Sequence, residues 1–187
     1  MIILDGKGRG TSAGVSDENR LYVNAISASA EHHTNHHDGE AYNLLFSQSP
    51  TAADDAILYI ENKNDIDLIL EGIELSVDAA CTVYMKIGDS GTPNNPTAIT
   101  PVNLNSGSGK NADGTFYQGA DLDNAGASLT GGTKTNHWIF RAATDTHCYN
   151  LSQDIILKKS GTITLWCDSS AATVTGWVSM NYHNVEG

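Results

Sequence analysis

The chain has 187 residues, with 10 Lys plus Arg against 22 Asp plus Glu and a formal net charge of −12. That length suits one ordinary domain with a sizeable core, and the acidity gives no broad electrostatic reason to hold nucleic-acid phosphates. Hydrophobic residues at 40% exclude a disordered acidic tail, while 18 glycines and a charged content of only 17% disfavour helix and suit strands and turns.

Residues 1–20 read as an extended arm. Gly6, Gly8, Gly10 and Gly14 loosen the backbone, almost nothing apolar interrupts residues 5–20, and Lys7, Arg9 and Arg20 supply three of the ten basic residues. Only Ile2, Ile3 and Leu4 are consecutively apolar before Asp5, too short for the h-region of a secretory signal, so synthesis in a reducing cytoplasm is expected. No window approaches the length of a membrane span.

Strand-like runs fill most of 21–187. They begin with Leu21–Ile26 and Ala41–Phe46, the latter stopped before Pro50. In Ala56–Asn62, Leu58 and Ile60 alternate with Tyr59 and Glu61, the pattern of a half-buried strand. Residues 66–77 carry some helical spacing, but Gly72 and the β-branched density predict a strand with a bulge at Glu71-Gly72. Thr82–Gly88 is a further strand, closed by the turn cluster 89–96. Ile99–Leu104 contains Pro101 and is placed at a sheet edge. Residues 105–133 are rich in Gly, Ser, Asn and Asp and predict a long loop region with a short strand near Gly114–Gly119. His137–Arg141, Asp154–Lys158, Thr162–Cys167 and Ala172–Tyr182 complete about nine strands. The expected fold is all-β, a single β-sandwich of jelly-roll type with an N-terminal arm.

Chemistry-bearing residues are few. Cys81, Cys148 and Cys167 form no CxxC pair, and Cys81 and Cys167 sit in apolar stretches as buried thiols. His32, His33, His36 and His37, among Glu31, Asp38 and Glu40, offer ligands for Zn²⁺, Ni²⁺ or Cu²⁺, but HExxH is absent and an exposed polar loop is the simpler reading. Asp121-Leu-Asp123-Asn124-Ala-Gly126 departs from a calcium loop at Ala125 and Gly132 and reads as a turn. The acidic run in 54–78 (Asp54, Asp55, Glu61, Asp65, Asp67, Glu71, Glu74 and Asp78) reads as a solvated face. Neither a P-loop nor a GxSxG elbow is present. Nothing here compels an enzyme or calls for a cofactor. Trp138, Trp166 and Trp177 are placed in a sandwich core, the alternative being exposed platforms of a carbohydrate-binding module, with Trp138 or Trp177 working beside loop 105–133.

Four stretches, taken in order, carry a resemblance: Gly6–Val15 with Asn19-Arg20-Leu21, then Gly39-Glu40-Ala41-Tyr42, then Ala56–Asn62, then Val102-Asn103-Leu104-Asn105-Ser106-Gly107-Ser108. In this arrangement the chain resembles a family of tailed-bacteriophage virion structural proteins over most of its length. The resemblance implies a particle component, such as a capsid decoration or cement protein seated on the outer shell as a homotrimer. It carries no catalytic motif. The expected partner is then the major capsid protein or another virion protein, reached through the arm residues Lys7, Arg9 and Arg20. The expected location is the virion, after synthesis in the host cytoplasm, with no membrane or nucleic-acid partner. A carbohydrate-binding module of a fibre, tail or secreted enzyme is the alternative, and a metal-dependent enzyme built on the histidines a third.

Overall fold

The computed structural model describes residues 3–4, 12–13 and 34–183. The chain divides into two units, residues 1–30 and 31–187. In the first, β1 (Ile3–Leu4) pairs antiparallel with β2 (Ser12–Ala13). Leu21–Ile26 lies outside the described residues.

The second unit starts with one π-helical turn, Thr34–Asp38, closed by Gly39 N–H donating to Thr34 O at 2.8 Å. The strands that follow are β3 (Ala41–Gln48), β4 (Asp55–Asn62), β5 (Asp67–Val77), β6 (Cys81–Ile87), β7 (Ser90–Gly91), β8 (Thr97–Ala98) and β9 (Val102–Asn103). After them come β10 (Gly114–Gln118), β11 (Leu129–Thr130), β12 (Thr133–Phe140), β13 (Thr146–Leu157), β14 (Thr162–Cys167) and β15 (Val174–His183). None of the helical segments described is long and apolar enough to cross a membrane.

Two antiparallel sheets face each other. The first has the order β12-β6-β14-β4-β10-β8, the second β13-β5-β15-β3-β9. The eight long strands alone give β12-β6-β14-β4 against β13-β5-β15-β3. Successive long strands switch sheets except at β6 to β12, which pair with each other. This is the two-Greek-key arrangement of a jelly roll, and the all-β sandwich is as expected from the short strands and the turns between them. The short strands β8 and β9 cap one edge of each sheet, and Pro101 lies between them, where no ladder bond is interrupted.

Between the sheets lie Tyr42, Leu44 and Phe46 from β3, Leu58 and Ile60 from β4, Val83 and Met85 from β6, and Trp138 and Phe140 from β12. Strand β14 adds Ile163, Leu165 and Cys167, and β15 adds Val174, Val178, Met180 and Tyr182. In β5 the buried positions run Leu68, Leu70, then Ile73, Leu75, Val77, a change of phase at the predicted bulge. Leu70 pairs with Met180 and Gly72 with Ser179, so Glu71 is the extra residue. Without it, either half of β5 would turn its apolar side chains to the wrong face.

One expectation is corrected by the packing. Strand β4 is buried on both faces, not half-buried, because Leu122 and Leu129 of the Gly-rich region fold over the outer side of the first sheet. They close a second small core on Ala56, Tyr59, Tyr84 and Trp166. Trp166 therefore packs outside the sandwich and only Trp138 within it. The acidic run of 54–78 is likewise solvent-facing only in part, since Asp55 is buried.

The start of β3 and the end of β15 meet. Ala41, the first residue of β3, pairs with Asn181 near the end of β15, and Tyr182 N–H donates to Glu40 O at 3.1 Å.

Candidate functional site

Among the described residues, three surfaces stand out for polar or exposed apolar groups that the core does not use. The first is where the chain enters the sandwich. Asn103 Nδ2 donates to Gly39 O at 2.8 Å and to Lys110 O at 3.0 Å, and its Oδ1 accepts Asn105 N–H at 2.8 Å. Asn105 Nδ2 reaches Asn35 O at 2.9 Å, Ser108 Oγ donates to Gly39 O at 3.0 Å, and Lys110 pairs with Glu40 at 2.9 Å. Gly39 has φ +64° and its Cα faces Ser108, where a Cβ would stand 2.6 Å from Oγ, so no other residue fits. Thus Gly39-Glu40-Ala41 and Val102-Asn103-Leu104-Asn105-Ser106-Gly107-Ser108, two of the stretches singled out in the sequence, form one clamp on the π-helical turn.

The second surface is the outer face of the second sheet. Leu45 pairs with Trp177, Trp177 with Glu74, and Glu74 with Cys148, forming one row. A neighbouring row is made of hydroxyls: Ser47 Oγ lies 2.9 Å from Thr175 Oγ1, and Thr146 Oγ1 donates to Ser76 Oγ at 2.9 Å. Leu45 is 61% exposed and Val102, paired with Asn43 on the same face, is 56% exposed, beside a half-buried Trp177. Cys148 is exposed and its thiol donates to Glu74 Oε2 at 2.7 Å. That hydrogen bond, then the cost of desolvation and the Glu74 charge, hold the thiol above its ordinary pKa. Cys81 and Cys167 are free and buried, as their apolar flanks predict; the hydrogen bond to Cys167 and then burial push Cys81 up.

The third surface is the outer side of the first sheet under the 119–132 segment. Trp166 stacks on Tyr84 with centroids 6.1 Å apart; Lys86 Nζ lies 3.4 Å over Trp166 and Lys134 Nζ 3.5 Å over Tyr84. Buried Asp89 ties the segment down: its carboxylate accepts Gly132 N–H at 2.8 Å, the Thr164 hydroxyl and Trp166 Nε1–H at 3.3 Å. Beside it opens a cleft of about 560 Å³ lined by Tyr59, Glu61, Lys63, Thr115, Tyr117 and Thr162 among others. Tyr59 and Tyr117 stack at 6.3 Å, Tyr59 Oη donates to Glu61 at 3.1 Å, and Lys63 bonds Glu61 at 2.5 Å. Burial and then the Glu61 charge raise the Tyr59 hydroxyl well above its ordinary pKa, so it stays a neutral donor. At the far end of this face, Asp55, Asp121 and Asp123 each bring a carboxylate oxygen within 4.8 Å of the others.

The sequence-derived candidates distribute unevenly over these surfaces. Lys7, Arg9, Arg20, His32 and His33 lie outside the described residues. His36 and His37 fall on the π-helical turn, where only the backbone is described. Trp138 is buried against Tyr149 at 5.1 Å and is no sugar platform, because β12 turns it into the sandwich; Trp177 remains on the open face of the other sheet. Sequence reasoning missed Asp55, Asp89 and the Tyr59–Tyr117 cleft. Asp121 and Asp123 were visible as a turn, but their partner Asp55 lies far off in the chain. Comparison with family models, curated proteins and solved structures finds no match to this chain in any of the three.

Proposed function

We propose that this chain is a non-enzymatic structural component of a bacteriophage particle, a capsid decoration protein that binds the shell surface as a homotrimer and stabilises it. The observation that carries the reading is the open face of the second sheet. Leu45, paired with Trp177, and Val102, paired with Asn43, stand more than half exposed on a face that also carries a row of hydroxyls, the kind of patch a neighbouring molecule buries. The clamp supports it, because residues 103–110 hold Asn35, Gly39 and Glu40 at the entry to strand β3. A jelly roll serves capsid proteins and lectins alike, so the fold adds no preference. The binding partner is the major capsid protein, with Lys7, Arg9 and Arg20 meeting its carboxylates.

Purified protein is mixed with expanded capsids lacking it, and sedimentation and light scattering are recorded. Saturable binding by a trimer, lost on deletion of residues 1–20, is the expected result. A monomer that ignores capsids, or a truncation that binds as well as the intact chain, overturns the corresponding part of the proposal.

The Tyr117-lined cleft favours a second reading, a carbohydrate-binding module. An aromatic ring beside Glu61, Thr115 and Thr162 is the mixture of stacking and polar groups that sugars require. The other carboxylate lining the cleft among the described residues, Asp89, accepts from three donors. Glycan-array binding that disappears in Tyr117→Ala supports this reading; no binding to any array sugar removes it.

A further inference from the structure

We infer that the cleft beside Tyr117 takes a neutral pyranose, with Glu61 and Lys63 together reading two adjacent hydroxyls on its ring. This deepens the carbohydrate reading of the cleft and rests on it, and it stands apart from the capsid reading. The strand register builds the floor of the cleft from two rows of side chains. Thr115, Glu61 and Thr162 lie opposite one another on β10, β4 and β14, and Tyr117, Tyr59 and Thr164 form the next row. Neighbouring strands stand about 4.8 Å apart and the two rows about 7 Å apart, the scale of one sugar ring lying from Tyr117 to Glu61. The turns at 88–93 and 160–161 wall the cleft, next to the 119–132 segment that forms the roof over Trp166. Its volume of about 560 Å³ falls within the range of small-ligand sites, roughly 300–1,000 Å³.

The charges in the cleft are already engaged, and that decides the ligand class. Lys63 is the basic side chain lining it among the described residues, and its ammonium bonds Glu61 Oε1 at 2.5 Å. Asp89 is 2% exposed, and its carboxylate turns to Gly132, Thr164 and Trp166. A ligand carboxylate, sulfate or phosphate therefore meets no spare cation here, and the net charge of −12 repels it. A cationic ligand finds Glu61 neutralised and Asp89 turned away. A wholly apolar ligand would strip water from Glu61, Lys63 and Thr115 without replacing its hydrogen bonds. A neutral molecule with one apolar face and several hydroxyls meets none of these costs, and a pyranose is such a molecule.

The Glu61–Lys63 pair has the hydrogen-bonding capacity that two adjacent hydroxyls need. Glu61 accepts the Tyr59 hydroxyl at Oε2 and the Lys63 ammonium at Oε1, out of about four lone-pair sites on a carboxylate. Acceptor sites on Glu61 and further protons on Lys63 remain for a ligand, and the two side chains are 16% and 49% exposed. Each sugar hydroxyl both donates and accepts, so one hydroxyl of the pair gives its proton to Glu61 while its neighbour accepts from Lys63. Tyr59 holds the carboxylate in place beforehand, which lowers the cost of ordering it on binding. Thr115, opposite Glu61, adds a hydroxyl that no side-chain bond engages among the described residues. Half-buried Tyr117 supplies the aromatic surface for the C–H face of the ring.

The test probes an array of neutral, uronic, sialylated and sulfated sugars with the full chain. Calorimetry follows, with the methyl glycoside of the neutral sugar that binds and with its monodeoxy analogues. Preferential binding of neutral sugars is expected, unchanged within about twofold when sodium chloride rises from about 0.1 M to about 1 M. Removing either hydroxyl of the adjacent pair, or substituting Glu61→Gln, is expected to weaken binding at least about tenfold. Thr115→Val, nearly isosteric, is expected to weaken it about threefold or more, and the melting temperatures of both variants establish that they fold. Stronger binding of acidic sugars, equal binding of every monodeoxy analogue, or a neutral sugar held equally by the parent and both variants overturns this assignment and leaves the carbohydrate reading standing. No binding to any sugar removes both.

Discussion

Replacing Asp89 by Ala is the sharpest test of how the roof segment is held. The substitution removes the acceptor for Gly132 N–H, for the fully buried Thr164 hydroxyl and for Trp166 Nε1–H. Trp166 keeps a partner, because its Nε1 also donates to Thr164 Oγ1 at 2.8 Å. The buried Thr164 hydroxyl is then left without this acceptor at about 1–3 kcal/mol and the half-buried Gly132 N–H loses a bond of about 1 kcal/mol net, so a loss of roughly 3 kcal/mol in unfolding free energy is expected. Relief from burying a carboxylate offsets part of the upper end of that range. The geometry also predicts a coupling. A Cβ on Gly132 would overlap Asp89 Oδ1, so Gly132→Ala is destabilising alone, yet the truncated side chain of Asp89→Ala leaves room for it. The double variant is therefore expected to be more stable than additivity allows by at least about 1 kcal/mol. Urea denaturation of the four proteins, read by tryptophan fluorescence, measures the cycle. A cost below about 1 kcal/mol for Asp89→Ala, or additive effects, refutes the reasoning.

Three further outcomes are expected. Gly176→Ala would drive a Cβ into the backbone carbonyl of Glu74 on the neighbouring strand, and a loss above about 2 kcal/mol or failure to fold should follow; an unchanged melting temperature contradicts the strand packing. Leu45→Ser, on the open sheet face, should alter stability by no more than about 0.5 kcal/mol while weakening trimer formation or capsid binding in sedimentation; unchanged assembly removes that face from the interface. Cys148 should be alkylated by iodoacetamide with a pH midpoint above that of free cysteine, because the thiolate forms next to the Glu74 carboxylate. Glu74→Gln should move that midpoint down, and an unmoved midpoint refutes the pairing.

The strands were legible because their signals are local. Alternation and turn residues located most of the long strands, and Gly72 within a β-branched run marked the bulge that lets Leu70 and Ile73 face the same core. Pro101 marked an edge for the same reason, since it has no N–H to give a ladder. The start of β13, Thr146–Tyr149, was harder to see: its outward residues are polar and its inward ones aromatic or His, so no clear apolar alternation arises. What stayed hidden depends on long-range closure. Tyr59 reads as the exposed half of an alternating strand until Leu122 and Leu129 cover it, and those two leucines are isolated in a Gly/Ser-rich stretch. Asp55 reads as one more surface charge until the same segment brings Asp121 and Asp123 to it. Asp89 reads as a turn residue, and only the register of β14 against β6 puts Thr164 and Trp166 beneath it.

The meeting of Ala41 with Asn181 has a mechanical consequence. Strands β3 and β15 are adjacent and antiparallel, and the chain enters one and leaves the other at the same end of their ladder. Tension applied between residues 34 and 183 therefore peels the ladder apart rung by rung from that end, loading one pair of hydrogen bonds at a time instead of shearing all of them together. Peptides fused at those two positions would emerge side by side, leaving the opposite end of the sandwich clear. A load applied at residues 34 and 183 in opposite directions thus meets this corner of the sandwich first.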